Sequence, residues 1–311
     1  MFIFLTFLLS LMPIASADTA TVDSAIGAIP PYQFAQLVDS PIPQDLVAKL
    51  KNVAQDMPKP YVDRCHTQQN LAQNIAPCTY ADLKSKTTIV LFGDSHALSW
   101  FPAIEKLAIA KQWKLVSLSM SSCWPADIPA WNSTKNERMD NCEIWRTSAL
   151  KRIASIKPAM IFVAGTKGFS TLEENGEVSV GQSRVQIWRD GMTRTIKTIK
   201  KSSPHVIILS DTPAAIDNPA QCMQSHVQSL MKCSHPTAEA ISVTWLTEER
   251  NIAAQTGSLW INPTEWICNT DPCSLISGNY LIYRDAGHLT ASFSKTLEAP
   301  LWQALSSQLN A

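Results

Sequence analysis

Thr87-Thr88-Ile89-Val90-Leu91-Phe92-Gly93-Asp94-Ser95-His96-Ala97 is the stretch on which the fold turns. Thr87 to Phe92 is an unbroken β-branched and apolar run, which reads as a strand buried on both faces. Beyond the Gly-Asp-Ser turn, Leu98, Phe101, Ile104, Leu107 and Ala108 recur at helical spacing and predict a helix over Ala97–Ala110. A serine between a buried strand and a helix lies at the carboxyl edge of a sheet, where open α/β domains hold their ligands. The helix N-terminus offers N–H groups and the positive end of the dipole, both suited to a developing oxyanion. Far downstream, Asp285-Ala286-Gly287-His288-Leu289 sets a carboxylate and an imidazole three residues apart.

Working outward, strands and helices alternate. Strands are expected at Lys114–Leu118, Ala159–Ala164, His205–Ser210, Leu259–Ile261 and Tyr280–Tyr283. Helices are expected at about Cys142–Ile156, Ser183–Lys201, Pro236–Thr256 and from Ala291 onward. Continuous apolar strands separated by helices predict a three-layer α/β sandwich with a central, mainly parallel sheet. Right-handed crossovers bring the strand ends, and with them Ser95 and His288, to one edge. This domain is expected over 87–311. Before it, a Cys-rich extension is expected at 44–86, a proline-punctuated tether at 18–43 and an export signal at 1–17.

Met1 to Ala17 is almost wholly apolar and ends in Ala15-Ser16-Ala17, the pattern of a cleavable signal peptide. No Lys or Arg precedes the apolar core, so the remnant of a membrane segment is the alternative. Either reading places the rest outside the cytoplasm: secreted, cell-surface or periplasmic, and membrane-tethered if Met1 to Ala17 is not cleaved. Twenty-six basic residues against 26 acidic, with no basic run, argue against a nucleic-acid partner. The 19 prolines and 10 tryptophans suggest a loop-rich protein with aromatic surface for sugars. Trp100, Trp124 and Trp131 are candidates for such a surface, with core packing the equal alternative for Trp100 on the helix face, and Lys167 and Arg284 are candidates for contact with an anionic glycan.

Eight cysteines in an exported chain predict disulfides. Proximity suggests Cys65 with Cys78, Cys123 with Cys142, Cys222 with Cys233 and Cys268 with Cys273. The competing reading is a zinc site of Cys222, His226, Cys233 and His235, although no Cys-x-x-Cys occurs. No cofactor is expected.

A serine hydroxyl needs a base to take its proton, and the base needs a third group to fix its tautomer. Ser95, His288 and Asp285 can fill those roles. Asp94 reads as a brace of the turn backbone, and His96 either as a substrate contact or as a solvated helix start.

With these residues in place, the chain resembles the SGNH (GDSL-type) hydrolases. Val90 to Ala97 matches their first block and Asp285 to Leu289 their last. It is more closely similar to the extracytoplasmic SGNH domain fused to acyltransferase-3 membrane proteins, which O-acylate polysaccharides. Supporting matches are Ser122-Cys123-Trp124-Pro125, Trp188-Arg189-Asp190-Gly191, Asp211-Thr212-Pro213 and Tyr283-Arg284-Asp285. The resemblance spans roughly Gln44 to Leu309. It implies Ser95 as nucleophile, His288 as base and Asp285 as its orienter. The implied activity is that of a serine esterase or O-acyltransferase acting through an acyl-enzyme on acyl groups, acetyl above all, of cell-surface carbohydrate.

Two departures stand out. Ser121-Ser122-Cys123 and Gly165-Thr166-Lys167 occupy the places of the family's oxyanion-hole Gly and Gly-x-Asn-Asp. Ser95, Ser122 and Thr166 are the candidates to form the hole instead. The membrane acyltransferase portion is also missing from the sequence, so a separate membrane protein is the expected acyl donor. A carbohydrate-binding or assembly module that keeps the fold without catalysis is the alternative function.

Overall fold

The protein is described by a computed structural model over residues 32–72 and 77–309. The leader expected at 1–17 and the first part of the tether lie outside the described residues.

Seven strands make the central sheet: β1 (His66–Thr67), β2 (Thr79–Ala81), β3 (Thr88–Gly93), β4 (Lys114–Met120), β5 (Met160–Ala164), β6 (His205–Leu209) and β7 (Leu259–Ile261). Their order is β7-β6-β5-β3-β4-β1, with β2 beside β1 on the outer edge of β4. Every pairing is parallel except that of β2 with β4. Thus the extension expected over 44–86, which begins with helices α1 (Gln44–Leu50) and α2 (Lys59–Val62), does more than pack on the sheet; it adds two short strands to it. The apolar run beginning at Thr88 takes the central position, with Leu91 opposite Ser117 on one side and Phe162 on the other. From β3 the chain moves to β4 on one side and returns to β5 on the other. The crevice at the carboxyl end of β3 is therefore a topological switch point, the usual ligand position of such sheets.

Strand periodicity divides the core in two. Ile89 and Leu91 face one layer with Phe162 and Leu209, whereas Val90 and Phe92 face the other with Val163 and Ile208. The first layer is roofed by α4 (Phe101–Ala110) and the C-terminal helix (Glu298–Leu309), through Phe101, Ile104, Leu301 and Leu305. The second is covered by α5 (Asp140–Ile156), α6 (Gly181–Ile199) and α7 (Val243–Thr256), through Trp145, Trp188, Ile196 and Ile252. That is the expected three-layer sandwich.

Three helices expected as single rods are broken. The first divides into α3 (Ser95–Ser99) and α4 at Trp100, because Pro102 lies in the first turn of α4. A proline there has no N–H to give and clashes with the carbonyl four residues earlier. The helix expected at Pro236–Thr256 consists of Thr237–Ala240 and α7, with Ile241 extended between them. Ile241, Val243 and Thr244 are β-branched and Ser242 favours a cap, so this is a weak place in a helix. The last is divided into Ala291–Ser294, a tight turn at Lys295–Leu297 and Glu298–Leu309.

The strand expected at Tyr280–Tyr283 also stands apart from the sheet. Tyr280–Leu281 pairs antiparallel with Ile276–Ser277 around Gly278-Asn279, a two-residue turn that needs the positive φ of Gly278. No helix among the described residues is long and apolar enough to cross a membrane.

The cysteines are joined as Cys65–Cys78, Cys123–Cys142, Cys222–Cys233 and Cys268–Cys273. Their sulfurs are thus committed to one another. His226 Nδ1 lies near Cys222 and Cys233, at 3.7 and 3.9 Å, but His235 is turned away, onto the Ala214 carbonyl at 2.8 Å. The four residues do not form the zinc site weighed from the sequence, which requires thiolates.

Candidate active site

Ser95 is the first residue of α3, directly after the turn that ends β3. Gly93 makes the turn possible: a Cβ there would lie 1.8 Å from the Ala164 carbonyl oxygen. Asp94 is the N-cap, one carboxylate oxygen accepting from His96 N–H at 2.8 Å and the other from Thr166 N–H at 2.9 Å. It braces the turn and ties it to the loop after β5. Burial pushes its carboxyl above the usual range, although the neighbouring His96 charge and the two N–H donors oppose this.

His288 and Asp285 come from a loop closed by the Tyr283–Leu289 bridge and by Arg284 N–H on the His288 carbonyl at 3.0 Å. One Asp285 oxygen accepts from the backbone N–H groups of Gly287 and His288, at 3.0 and 2.8 Å. The carboxylate meets His288 Nδ1 at 2.8 and 2.9 Å, and His288 Nε2 lies 2.9 Å from Ser95 Oγ. A carboxylate can only accept. Nδ1 therefore carries the proton, leaving Nε2 as the acceptor for the serine hydroxyl. Burial works against the Asp285 charge, yet the hydrogen bond and charge of His288, the Gly287 N–H and Arg284 hold it well below the usual carboxylate range.

Two features were not legible in the sequence. The first is a second histidine–aspartate pair. His96 Nδ1 meets Asp211, at the end of β6, at 2.7 Å. Asp211 also accepts from the N–H groups of Thr212 at 2.8 Å and Lys167 at 3.3 Å. Burial disfavours a charged His96, but Asp211 overrides it, with Asp94 and Asp285 nearby, and holds the imidazole up at about 9. In the sequence Asp211-Thr212-Pro213 is a motif match alone; its place at the end of a parallel strand is the signal that points to a site. The second is Arg284. Its guanidinium lies 3.3 Å from Asp285, donates to the Tyr61 hydroxyl at 3.1 Å and sits 5.1 Å from that ring's centre. Nothing in the local sequence around Tyr61 indicates this partner.

Of the three oxyanion-hole candidates, Thr166 has its N–H engaged by Asp94, while its hydroxyl oxygen accepts from Gly168 N–H at 2.9 Å. The hydroxyl proton is what its side chain has left to donate. Ser122 is in the left-handed region, φ 53°, in the loop after β4. Trp100 and Trp124 are core residues, at 0 % and 3 % exposure, so neither offers a sugar platform; Trp131 is partly exposed. Lys167 is paired with Glu249 at 2.5 Å and Arg284 with Asp285, and neither is held in reserve for an anion.

On the His96 side a cavity of about 320 Å3 extends from Gly287 over the loops after β5 and β6 to the break before α7.

The sequence profile described as SGNH domain (fused to AT3 domains) matches residues 64–303. None of the curated proteins matches the chain. Among solved structures, it is similar to the periplasmic domain of a Salmonella ser. Paratyphi A lipopolysaccharide acetyltransferase. The identity is 17 % and the TM-score 0.61, over 85 % of this chain and 99 % of that one. A carbohydrate esterase family 2 enzyme of Corynascus thermopiles matches at 13 % identity and TM-score 0.43, over 76 % and 70 %. An acetyl-xylooligosaccharide esterase of Geobacillus Stearmophilus matches at 12 % and 0.41, over 72 % and 95 %.

Proposed function

Because the chain belongs to the family of SGNH domains fused to AT3 domains, we propose that it is a serine esterase or O-acyltransferase acting on acyl esters of carbohydrate. The observation that carries this reading is the continuous chain from Ser95 Oγ through His288 to Asp285. A fold kept only for binding has no need of a serine, a base and an orienter in that sequence. The domain architecture of the family and the periplasmic relative support a workplace outside the cytoplasm, on acylated surface glycan, with a membrane acyltransferase as a donor partner.

In the proposed reaction His288 Nε2 takes the Ser95 proton as Oγ attacks the acyl carbonyl. Asp285 holds the imidazole and stabilises the imidazolium as it forms. The backbone N–H groups of Ser95 and Ser122, with the Thr166 hydroxyl, receive the oxyanion. Collapse returns the proton from His288 to the departing sugar oxygen and leaves an acyl-Ser95 ester. Water, deprotonated by His288, completes hydrolysis; a sugar hydroxyl in its place completes transfer.

The test is labelling with a fluorophosphonate, located by peptide mass spectrometry, beside a Ser95→Ala control. Label on Ser95 and turnover of 4-nitrophenyl acetate are expected. No label and no turnover would leave the second reading, a non-catalytic carbohydrate-binding module, favoured by the engagement of Thr166 N–H with Asp94. Acetate release compared with transfer to an added oligosaccharide separates the two enzyme reactions.

A further inference from the structure

The cavity beside His96 lies outside the serine–histidine–aspartate machinery, but its lining includes His96 and Gly287, the chain neighbours of Ser95 and His288. His96 follows Ser95 in the chain, and its ring lies 4.6 Å from that of His288, centre to centre. From there the cavity widens to about 320 Å3, far more room than an acetyl group occupies. Its lining combines the apolar Pro213, Ile241, Trp245 and Leu246 with the polar Thr166, Thr212 and Asp211.

Its charges are paired within the protein. His96 is matched by Asp211, Lys167 by Glu249, and Glu239 faces His235 at 3.5 Å. An anionic ligand would find each lining cation already neutralised and an exposed Glu239 carboxylate at the rim. An uncharged ring with an apolar C–H face and a hydroxyl edge meets no such conflict. We propose that this cavity seats an uncharged sugar residue of the ester, with His96 as its hydrogen-bond donor at the end next to Ser95. The assignment deepens, and rests on, the reading of the site as one for carbohydrate esters.

His96 is built for a fixed donor. Asp211 occupies Nδ1, which directs the ring and leaves Nε2–H as the other donor of the imidazolium. The ring rests over Gly287, where a Cβ would lie 2.9 Å from Cε1 and 3.1 Å from Nε2. With its acid constant held at about 9 by Asp211 against the cost of burial, the imidazole keeps both protons at neutral pH.

The experiment is calorimetric titration of the full chain carrying Ser95→Ala, which binds without turnover. The probes are a mono-O-acetylated cello-oligosaccharide and a mono-O-acetylated oligogalacturonate. Ala214 and Ser242 line the cavity but are exposed, so Ala214→Trp and Ser242→Trp fill it without disturbing the core. Binding of the neutral probe is expected, weakened about tenfold or more by either filling variant, the loss of roughly one good contact. The oligogalacturonate should bind more weakly. No binding, binding indifferent to both tryptophans, or tighter binding of the oligogalacturonate overturns the assignment. So does faster turnover of 4-nitrophenyl octanoate than acetate by the Ser95 protein, lost on filling, since that identifies an acyl-chain pocket. Sugar binding with no Ser95 label would sink the enzyme reading and leave this one standing.

Discussion

His96 and His288 lie ring against ring, 4.6 Å apart at a tilt of 52°, and each is anchored through Nδ1 to its own aspartate. His96 Nδ1 is held by Asp211 from the sheet edge, and His288 Nδ1 by Asp285 from its own loop. One imidazole has Ser95 Oγ on its far nitrogen; the other lines the cavity. Two identical side chains are thereby given different work by the carboxylates behind them.

Asp285→Asn should leave the fold intact and destroy the orientation of His288. An amide can present its NH2 to Nδ1 and stabilise the wrong tautomer, and it cannot support an imidazolium. The expected loss in kcat on 4-nitrophenyl acetate is about 1,000-fold to 10,000-fold. A loss smaller than tenfold would remove Asp285 from the mechanism.

Arg284 acts through Asp285, holding the carboxylate at 3.3 Å while braced on Tyr61. Arg284→Met keeps much of the stem's packing and removes that hold. A fall in kcat of about tenfold to 100-fold with KM little changed is the expected signature of misplacement. Arg284→Lys should restore part of it. A KM effect alone would mean that Arg284 meets substrate instead.

Gly93→Ala tests the turn itself. Its Cβ would fall 1.8 Å from the Ala164 carbonyl, a backbone atom between paired strands that cannot step aside. Destabilisation of more than about 3 kcal/mol in urea unfolding is expected, in the range of severe core mutations. A change below about 1 kcal/mol would show that β3 and β5 separate easily there.

His96 makes a stability prediction with a definite sign. Its folded acid constant, about 9, lies above the unfolded value of about 6.5. The contribution is therefore complete below about pH 6.5 and is lost as pH rises towards about 9. Thermal melts across that window should show a decline in wild type that flattens in His96→Gln. A parallel decline in both proteins would assign the effect to another group. Asp285 and Asp211, both held below the usual range, act on the other side, losing their contribution as pH falls below the ordinary carboxylate value.

Much of the scaffold was written in local pattern. The apolar run beginning at Thr88 had only one low-energy fate, burial on two faces, and the structure puts it at the sheet centre. Helix ends were harder, because Pro102 and the β-branched residues from Ile241 to Thr244 act over a single turn. That span sits inside a periodic pattern continuing on both sides. Lys167 is ambiguous for a related reason: a lysine near a strand end has the position of a ligand contact, and only the fold places Glu249 beside it. Trp100 and Trp124 are ambiguous in sequence because a tryptophan's size suits either a core or a sugar platform, and burial alone separates the two.

The sequence by itself determined that Ser95 would stand at the carboxyl edge of a parallel sheet, and that Asp285 and His288 could share one turn. Both are short-range facts, set by strand alternation and a spacing of three residues. Only the tertiary structure decided that His288 reaches Ser95, that Asp211 claims His96, and that Tyr61 supports Arg284 behind Asp285. Those partners are separated by 193, 115 and 223 residues. A contact across such distances depends on strand order and on how closely packed layers bring distant loops together. No local pattern of residues encodes that.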